Sequence, residues 1–418
     1  MGKTCDIPVF GTLAGVKVLF SAVSIAGPFA ASMFADHGAD VTWIEHPVNF
    51  AIDRTGTDDL KKKPYWLEQD RRNMRSIKLD VKAPEGKEIF CKMIADTDIF
   101  LEASKGGGFS KMVSDEEIWA INPKCTIIHL NGFGLTGMSE YVNRACYDTV
   151  AQAYGGAIWA NATGEKKPSG LMPYVGDYYS GWACVTAGLM GYIKALKTGH
   201  GDSVDVSQVD IMIRCGGDKT GNAWNYPAGH KREFFPGDFN SSTAGFNSYL
   251  CKDGKYILLL IIGAPVVEKM LNILGVEAGS DEWPIRPVYK TFEDCGVRLD
   301  EKLTEFCMQY TADELEELLS KQGIPAACIM SYKDMLVHPY YQARESLLKV
   351  KAEAWGDQDI YVSNVVPRFK LNPGMGWKEA PYGGEDTAVI LEELGYSEEQ
   401  IAELAEKKVA LGRSSFIN

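Results

Sequence analysis

Residues 16–45 read VKVLFSAVSIAGPFAASMFADHGADVTWIE, and the fold class follows from how this stretch divides. Val16 to Phe20 is a short β-rich run. Pro28 to His37 has helix-compatible composition, with proline suited to a first helical turn. Gly38 stops the helix, and Val41 to Glu45 forms a second strand. Val18 to Ala35 carries no charged side chain and invites a membrane reading. Gly27-Pro28 breaks it in the middle, Ser21, Ser24 and Ser32 interrupt it, and an alternating run follows at once. A buried strand, a loop and a helix explain the stretch better than a membrane span.

The same alternation continues outward. Pro84 to Asp96 is of helix length, Asp98 to Leu101 is a strand, and Cys125 to Leu130 is another buried strand. Strands alternating with helices predict an α/β fold whose largely parallel sheet is covered on both faces. Farther on, Trp182, Val185, Leu189, Ile193 and Leu196 recur at three- and four-residue steps and predict a helix with an apolar, core-facing stripe. Ser203 to Val206 reads as a strand. Tyr249-Leu250, a Cys251-Lys252-Asp253-Gly254 turn and Tyr256 to Leu260 read as a hairpin. The expected organisation is a large domain beginning in 1–224, a smaller α+β domain in 225–335, and a segment 336–418 that ends in a charged helix, Ser397 to Lys408.

Composition narrows the function. At 418 residues the chain exceeds one ordinary core. Its net charge of −13, without a basic cluster interleaved with aromatics, argues against nucleic acid as a partner. The ten cysteines are scattered, none in a C-x-x-C pair, and several lie inside apolar runs. That pattern predicts reduced thiols in a cytoplasmic protein. None of the six histidines stands at metal-ligand spacing, so no metal is expected.

Glu45 at the end of the second strand invites a dinucleotide reading. However, Gly27 is the single glycine between the first strand and Pro28, so the G-x-G-x-x-G fingerprint is missing. After the strand at 98–101 comes a glycine-rich turn, Ser104-Lys105-Gly106-Gly107-Gly108, then Lys111. Backbone N–H groups in such a turn, with two lysines beside it, suit phosphates. Arg71-Arg72-Asn73-Met74-Arg75 supplies further cations at another strand boundary. Taken by themselves, these residues fit a surface loop and a solvated basic turn better than a phosphate cradle.

Several dispersed motifs carry a wider likeness. Leu13-Ala14-Gly15-Val16, Ala26-Gly27-Pro28-Phe29-Ala30 and Ala35 to Val41 open the series. Asn73 to Ser76, Gly132-Phe133-Gly134 with Thr136-Gly137, Tyr147-Asp148 with Ala151-Gln152-Ala153, and Gly176-Asp177 follow. Lys197 to Gly201, Val204-Asp205-Val206, Asp386-Thr387 and Gly395-Tyr396 complete it. In order and spacing this resembles the class III CoA-transferase family. Glu102-Ala103-Ser104-Lys105-Gly106 and Asp177-Tyr178-Tyr179-Ser180-Gly181 resemble its carnitine CoA-transferase branch most, and the bile-acid branch shares some of the motifs.

The resemblance implies a Rossmann-like large domain built from both chain ends, a small domain between them, and an interlocked homodimer with its active site at the domain junction. It implies acyl-CoA and a small carboxylic acid as substrates, with no metal. Asp177 falls on the family's carboxylate nucleophile, although by itself it reads as a helix cap. Its place at a helix start would favour the ionised form. Lys105 matches a CoA-contacting lysine. A neighbouring arginine of the branch has no counterpart because the loop is one residue shorter, so Lys111 is the best substitute. Arg75 is a further candidate for CoA, with a surface salt bridge as its other reading. The related α-methylacyl-CoA racemases place a histidine base where Tyr147 stands, and a tyrosine with an ordinary pKa of about 10 is a poor base. For a trimethylammonium acid, Tyr178, Tyr179, Trp182, Trp159 and Trp224 are candidate aromatic faces.

Overall fold

The computed structural model describes residues 7–47, 65–161, 168–217 and 243–413. They form two compact units. The larger comprises Met1–Ala160, Gly170–Asn225 and Arg344–Asn418; the smaller comprises Asn161–Ser169 and Tyr226–Ala343.

In the larger unit, β1 (Lys17–Ser21), α1 (Ala26–Asp36), β2 (Asp40–Glu45), α2 (Tyr65–Asp70), β3 (Arg75–Leu79), α3 (Pro84–Ile94) and β4 (Ile99–Glu102) come first. They are followed by α4 (Asp115–Ile121), β5 (Thr126–Asn131), α5 (Ser139–Val142), α6 (Asp148–Tyr154), α7 (Ala157–Asn161), α8 (Val175–Thr198), β6 (Ser203–Ser207) and α9 (Gln208–Cys215). The sheet runs β3-β2-β1-β4-β5-β6, all parallel, with a short antiparallel strand, Ala410–Leu411, on the β3 edge. This is the doubly wound order, whose direction of winding reverses between β1 and β4.

Alternation along each strand separates two cores. Val18, Phe20, Val41, Trp43, Ile99, Leu101, Ile128 and Leu130 pack against α1 and α8. Leu19, Ile44, Ile77, Phe100 and Ile127 face the other way, against α3, α4 and the C-terminal helices. Buried on both faces, the strands need near-continuous apolar sequence, as 99–101 and 127–130 supply.

The smaller unit has an antiparallel sheet of β7 (Phe246–Leu250), β8 (Tyr256–Leu260) and β9 (Ala326–Cys328). The expected hairpin pairs Leu250 with Tyr256. Helices Ala264–Ile273, Asp294–Cys307 and Ala312–Lys321 cover this sheet around a core that includes Ile257, Leu259, Leu303 and Leu315. The expected boundary at 224/225 lies outside the described residues.

The expected stripe on α8 is split: Val185 and Leu189 are half-buried against the core, whereas Trp182, Ile193 and Leu196 are 39%, 49% and 68% exposed. The buried face is instead Gly181, Cys184, Gly188, Gly191 and Ala195. Small residues let α8 approach α1 and β5 more closely than large ones could. A Cβ on Gly181 would stand 2.6 Å from the Phe29 ring and 2.8 Å from the Ala26 carbonyl oxygen; one on Gly191 would stand 2.2 Å from Thr126 Cγ2. The periodicity marks a flank of the buried face, whose centre is the line of small residues.

Two further findings bear on the cysteines and on the membrane reading. All nine described cysteines are free, and six of them are buried. Among the described residues no helix is long and apolar enough to cross a membrane.

The α8 packing gives a graded prediction. Helix propensity alone would make Gly191→Ala stabilising by roughly 1 kcal/mol. Overpacking against fully buried Thr126 costs about 1–3 kcal/mol, so a net loss of stability is expected in chemical denaturation. Gly188→Ala, whose new Cβ would meet Phe34 Cζ at 3.0 Å, should lose less. Stability equal to or above the parent in Gly191→Ala would show that the contact is not close-packed.

Candidate active site

The carboxyl ends of β1, β4, β5 and β6 open on one pocket. It is lined by Val23 to Gly27 after β1, Ala103 to Gly106 after β4, Leu130 to Gly132 after β5, and Gln208 after β6. Asp177 in the first turn of α8 and the segment Val142 with Arg144 to Tyr147 complete it. All of these residues belong to the larger unit. A crevice where strand order reverses is where ligands bind in open α/β sheets.

Asp177 is 8% exposed. Its Oδ1 accepts a hydrogen bond of 2.6 Å from Gln208 Nε2. Burial raises the Asp177 pKa to about 6; the Gln208 hydrogen bond pulls it down and the Asp148 carboxylate pushes it up. The sequence reading gave the free N–H groups at the helix start to Asp177. The structure gives two of them to Asp148, whose Oδ1 accepts from Gly176 N (2.8 Å) and Asp177 N (3.1 Å). Asp148 Oδ2 accepts from Gln152 Nε2 (2.6 Å), and Gln152 also bonds both backbone groups of Leu171. Asp148 therefore anchors the start of α8, and Gln208 is the side chain that holds Asp177. The two carboxylates are neighbours with different hydrogen-bond partners.

The β4 turn has the geometry its glycines allow. Gly106 and Gly107 adopt φ of 62° and 63°, a left-handed backbone that other residues adopt only under strain. Ser104 Oγ accepts from Phe109 N at 2.9 Å and folds the turn back on itself. The α1 start carries no side-chain cap, so its first N–H groups, at Ala26 and Gly27 on the pocket wall, are available to charge developing on a carbonyl oxygen.

Of the residues expected from sequence, the structure brings together Asp177 and Lys105, which share the pocket. Lys111 is exposed on the following turn and is not among the lining residues. Arg75 lies elsewhere. It donates to both Asp40 oxygens (3.2 and 2.9 Å) and to Glu393 (2.7 Å), the salt-bridge reading of this residue. The rest of the arginine run is also turned inward. Arg71 donates to the Ser24 carbonyl, and Arg72 pairs with Asp36 and the Ser363 carbonyl.

The candidate aromatic faces do not line the pocket either. Tyr178 and Trp182 pack edge-on against Phe29 (4.9 and 5.7 Å), while Tyr179 and Trp159 are exposed. Trp224 is outside the described residues. Tyr147 is the aromatic residue that does line the pocket, and no described histidine does. His129 is bound between Glu102 (2.7 Å) and Asp115 (3.1 Å).

Gln208 and Arg144 were missed in the sequence reading. The signal for Gln208 was its place one residue past the 203–207 strand, at a carboxyl end. Arg144 gave none, because the turn that carries it has no periodicity.

Among the described residues, one set of metal-ligating side chains converges: Asp313, Glu316 and Cys328 of the smaller unit. Burial and the two carboxylates push the Cys328 thiol far up, and it donates to Asp313 Oδ1 (3.6 Å).

The fold and site define an α/β protein with a buried carboxylate in the crevice at its switch point. The chain belongs to CoA-transferase family III, whose sequence model matches residues 13–387. It is therefore a CoA-transferase, with CoA carried as part of a substrate. The structure is similar to that of a CaiB/BaiF family protein from Brucella suis, at 25% identity and a TM-score of 0.76, covering 92% of this chain and 100% of that one. The fold is also shared by Rv3272 from Mycobacterium tuberculosis, at 22% identity and a TM-score of 0.76, covering 91% and 99%.

The site electrostatics make a direct prediction. A spectroscopic titration of the Asp177 carboxyl should give a midpoint near 6, with the group ionised above it. Gln208→Leu removes the bond that favours the ionised form, so the midpoint should move upward. An unmoved midpoint would remove Gln208 from this role.

Proposed function

We propose that this enzyme transfers CoA between carboxylic acids through covalent intermediates on Asp177. The observation that carries this reading is a buried carboxylate on the pocket floor, held by Gln208, with a pKa near 6. At neutral pH such a group is mostly ionised, yet more basic than an ordinary aspartate and hence a better nucleophile.

Asp177 attacks the thioester carbonyl of the acyl-CoA donor, and the C–S bond breaks to give a mixed anhydride and the CoA thiolate. The thiolate attacks the aspartyl carbonyl, the donor acid leaves as carboxylate, and an aspartyl-CoA thioester remains. The acceptor carboxylate attacks that thioester carbonyl and displaces the thiolate. The thiolate then takes the acceptor's acyl group, and Asp177 leaves as carboxylate. Each step exchanges one activated acyl group for another. The uncapped start of α1 is suited to the tetrahedral oxyanions, and Lys105 to a CoA phosphate. Asp148 is a positioning residue that fixes the start of α8.

The acids are of the carnitine, crotonobetaine or γ-butyrobetaine type. The carnitine-branch motifs around Lys105 and Asp177 support this, and Tyr147 is the aromatic residue able to meet a trimethylammonium group. The enzyme acts in the cytoplasm as a homodimer, interlocked as the family resemblance implies. The free cysteines support the compartment. The exposed stripe Trp182, Met190, Ile193 and Leu196 on α8 supports a second copy as its cover.

Two experiments test these readings. Incubation with acyl-CoA and hydroxylamine should convert Asp177 to a hydroxamate detectable by peptide mass spectrometry, and Asp177→Ala should be inactive. Modification at Asp148 instead would overturn the assignment. In the same assay, a panel of acids should favour quaternary ammonium acids, with an uncharged isostere losing up to roughly thirtyfold in kcat/KM. Efficient turnover of bile acids or simple aliphatic acids, with carnitine-type acids inert, would move the enzyme to another branch.

Sedimentation should give the mass of two chains. A wild-type monomer would refute the dimer.

A further inference from the structure

The loop between β1 and α1 forms one wall of the pocket, and one of its residues is strained. Ser24 adopts φ of 66°, the left-handed region that a residue with a Cβ enters at a cost. Asn73, Glu345 and Lys408 are the other described non-glycine residues with positive φ, and none of them lines the pocket. Such a conformation persists only where its surroundings hold it.

Two side chains hold this loop from outside the pocket. Arg71, directly after α2, is fully buried and donates from Nη2 to the Ser24 carbonyl oxygen at 2.8 Å. Its Nη1 donates to the Asp70 carbonyl at 3.1 Å. The guanidinium lies 5.0 Å from the ring centroid of Trp43 and 5.7 Å from that of Trp66. Trp43, on β2, donates from Nε1 to the Ala22 carbonyl oxygen at 3.1 Å and stacks on Phe20 of β1. Arginine and tryptophan thus draw two carbonyls of the loop toward β2. Neither side chain lines the pocket.

Peptide geometry converts this anchoring into a direction. In a trans peptide the C=O and the N–H point opposite ways. The Ser24 carbonyl points to Arg71, so the Ile25 N–H points away from it. Ile25 lines the pocket together with Asp177. The Ile25 carbonyl accepts from Phe29 N at 2.8 Å in the first turn of α1, whereas its N–H has no partner among the described residues. Relaxation of Ser24 to a negative φ would turn this peptide and withdraw the donor.

We infer that Arg71 is a positioning residue for the transfer reaction: braced on Trp43, it holds Ser24 in its left-handed turn and so keeps the Ile25 N–H directed at the oxyanion formed over Asp177. This inference rests on the proposed attack of Asp177 on a thioester carbonyl.

Steady-state kinetics test it, with the number of folded sites counted by calorimetric titration with CoA. Arg71→Met should lower kcat per site by about ten- to hundredfold, approaching the loss of one oxyanion donor. KM for acyl-CoA and for the acid should stay near the parent values, the pattern of an interaction made in the transition state. Arg71→Lys keeps a charged donor without the planar face for Trp43 and should recover part of the loss. The strained residue supplies the sharper comparison. Glycine adopts a positive φ freely, so in a Ser24→Gly background the Arg71→Met loss should shrink by up to about tenfold.

Unchanged kcat in Arg71→Met would overturn the inference. So would an equal loss in both Ser24 backgrounds, which marks a purely structural arginine, or a rise in KM for acyl-CoA with kcat intact. Should Arg71→Met not fold, Arg71→Lys in the two backgrounds makes the same comparison, and an equal loss decides against the inference in the same way. A wild-type enzyme that forms no hydroxamate on Asp177 would defeat the covalent reading, and this inference with it. Normal hydroxamate formation together with a loss that ignores the Ser24 background defeats this inference alone.

Discussion

The close seating of α8 on the sheet is the constraint on which the rest of the larger unit depends. The helix is 24 residues long and lies against α1 and β5 with glycine, alanine, serine and cysteine at the centre of the contact and Val185 and Leu189 at its flank. Where Gly191 meets Thr126 and Gly181 meets Phe29, a single methyl group would collide. This contact fixes the helix along its length, so its first turn arrives at the carboxyl edge of the sheet with Asp177 on the pocket floor. The same contact leaves a bulkier face of α8 outward, which is why a unit with two well-filled cores still displays Trp182, Met190, Ile193 and Leu196.

The pocket gains its chemistry from an unequal division of hydrogen bonds between two neighbouring acids. Asp148 accepts two backbone N–H groups and an amide, whereas Asp177 has the single amide of Gln208. Burial raises the proton affinity of Asp177, and that single amide only partly offsets it. One acid becomes part of the scaffold and the other remains reactive.

The arginines show how one residue type serves two ends. Arg72 and Arg75 join the C-terminal segment to the sheet through Asp36, the Ser363 carbonyl and Glu393, and Arg71 holds the loop after β1 at Ser24. A buried guanidinium needs such partners, and losing one would leave an uncompensated charge. Arg144 is oriented by the rings of Tyr141 and Tyr154 instead and lines the pocket.

The sequence by itself determined the α/β class, the strands from 16 to 206, the hairpin at 249–260 and the position of Asp177 at a helix start. Local patterns carry that information: alternation, glycine turns and runs buried on both faces depend on neighbours within a few residues. It also contained the α8 periodicity, but not which side faces inward, because two faces of that helix are apolar and only the shape of its neighbours selects the smaller one. Tertiary structure alone decided that Gln208 holds Asp177, that Asp148 holds the helix start, that Arg75 is tied to Asp40 and Glu393, and that Arg144 joins Lys105. Each of these pairings spans 28 residues or more. Such partners meet only after the sheet has assembled, since strand order, not chain order, sets which loops share an edge.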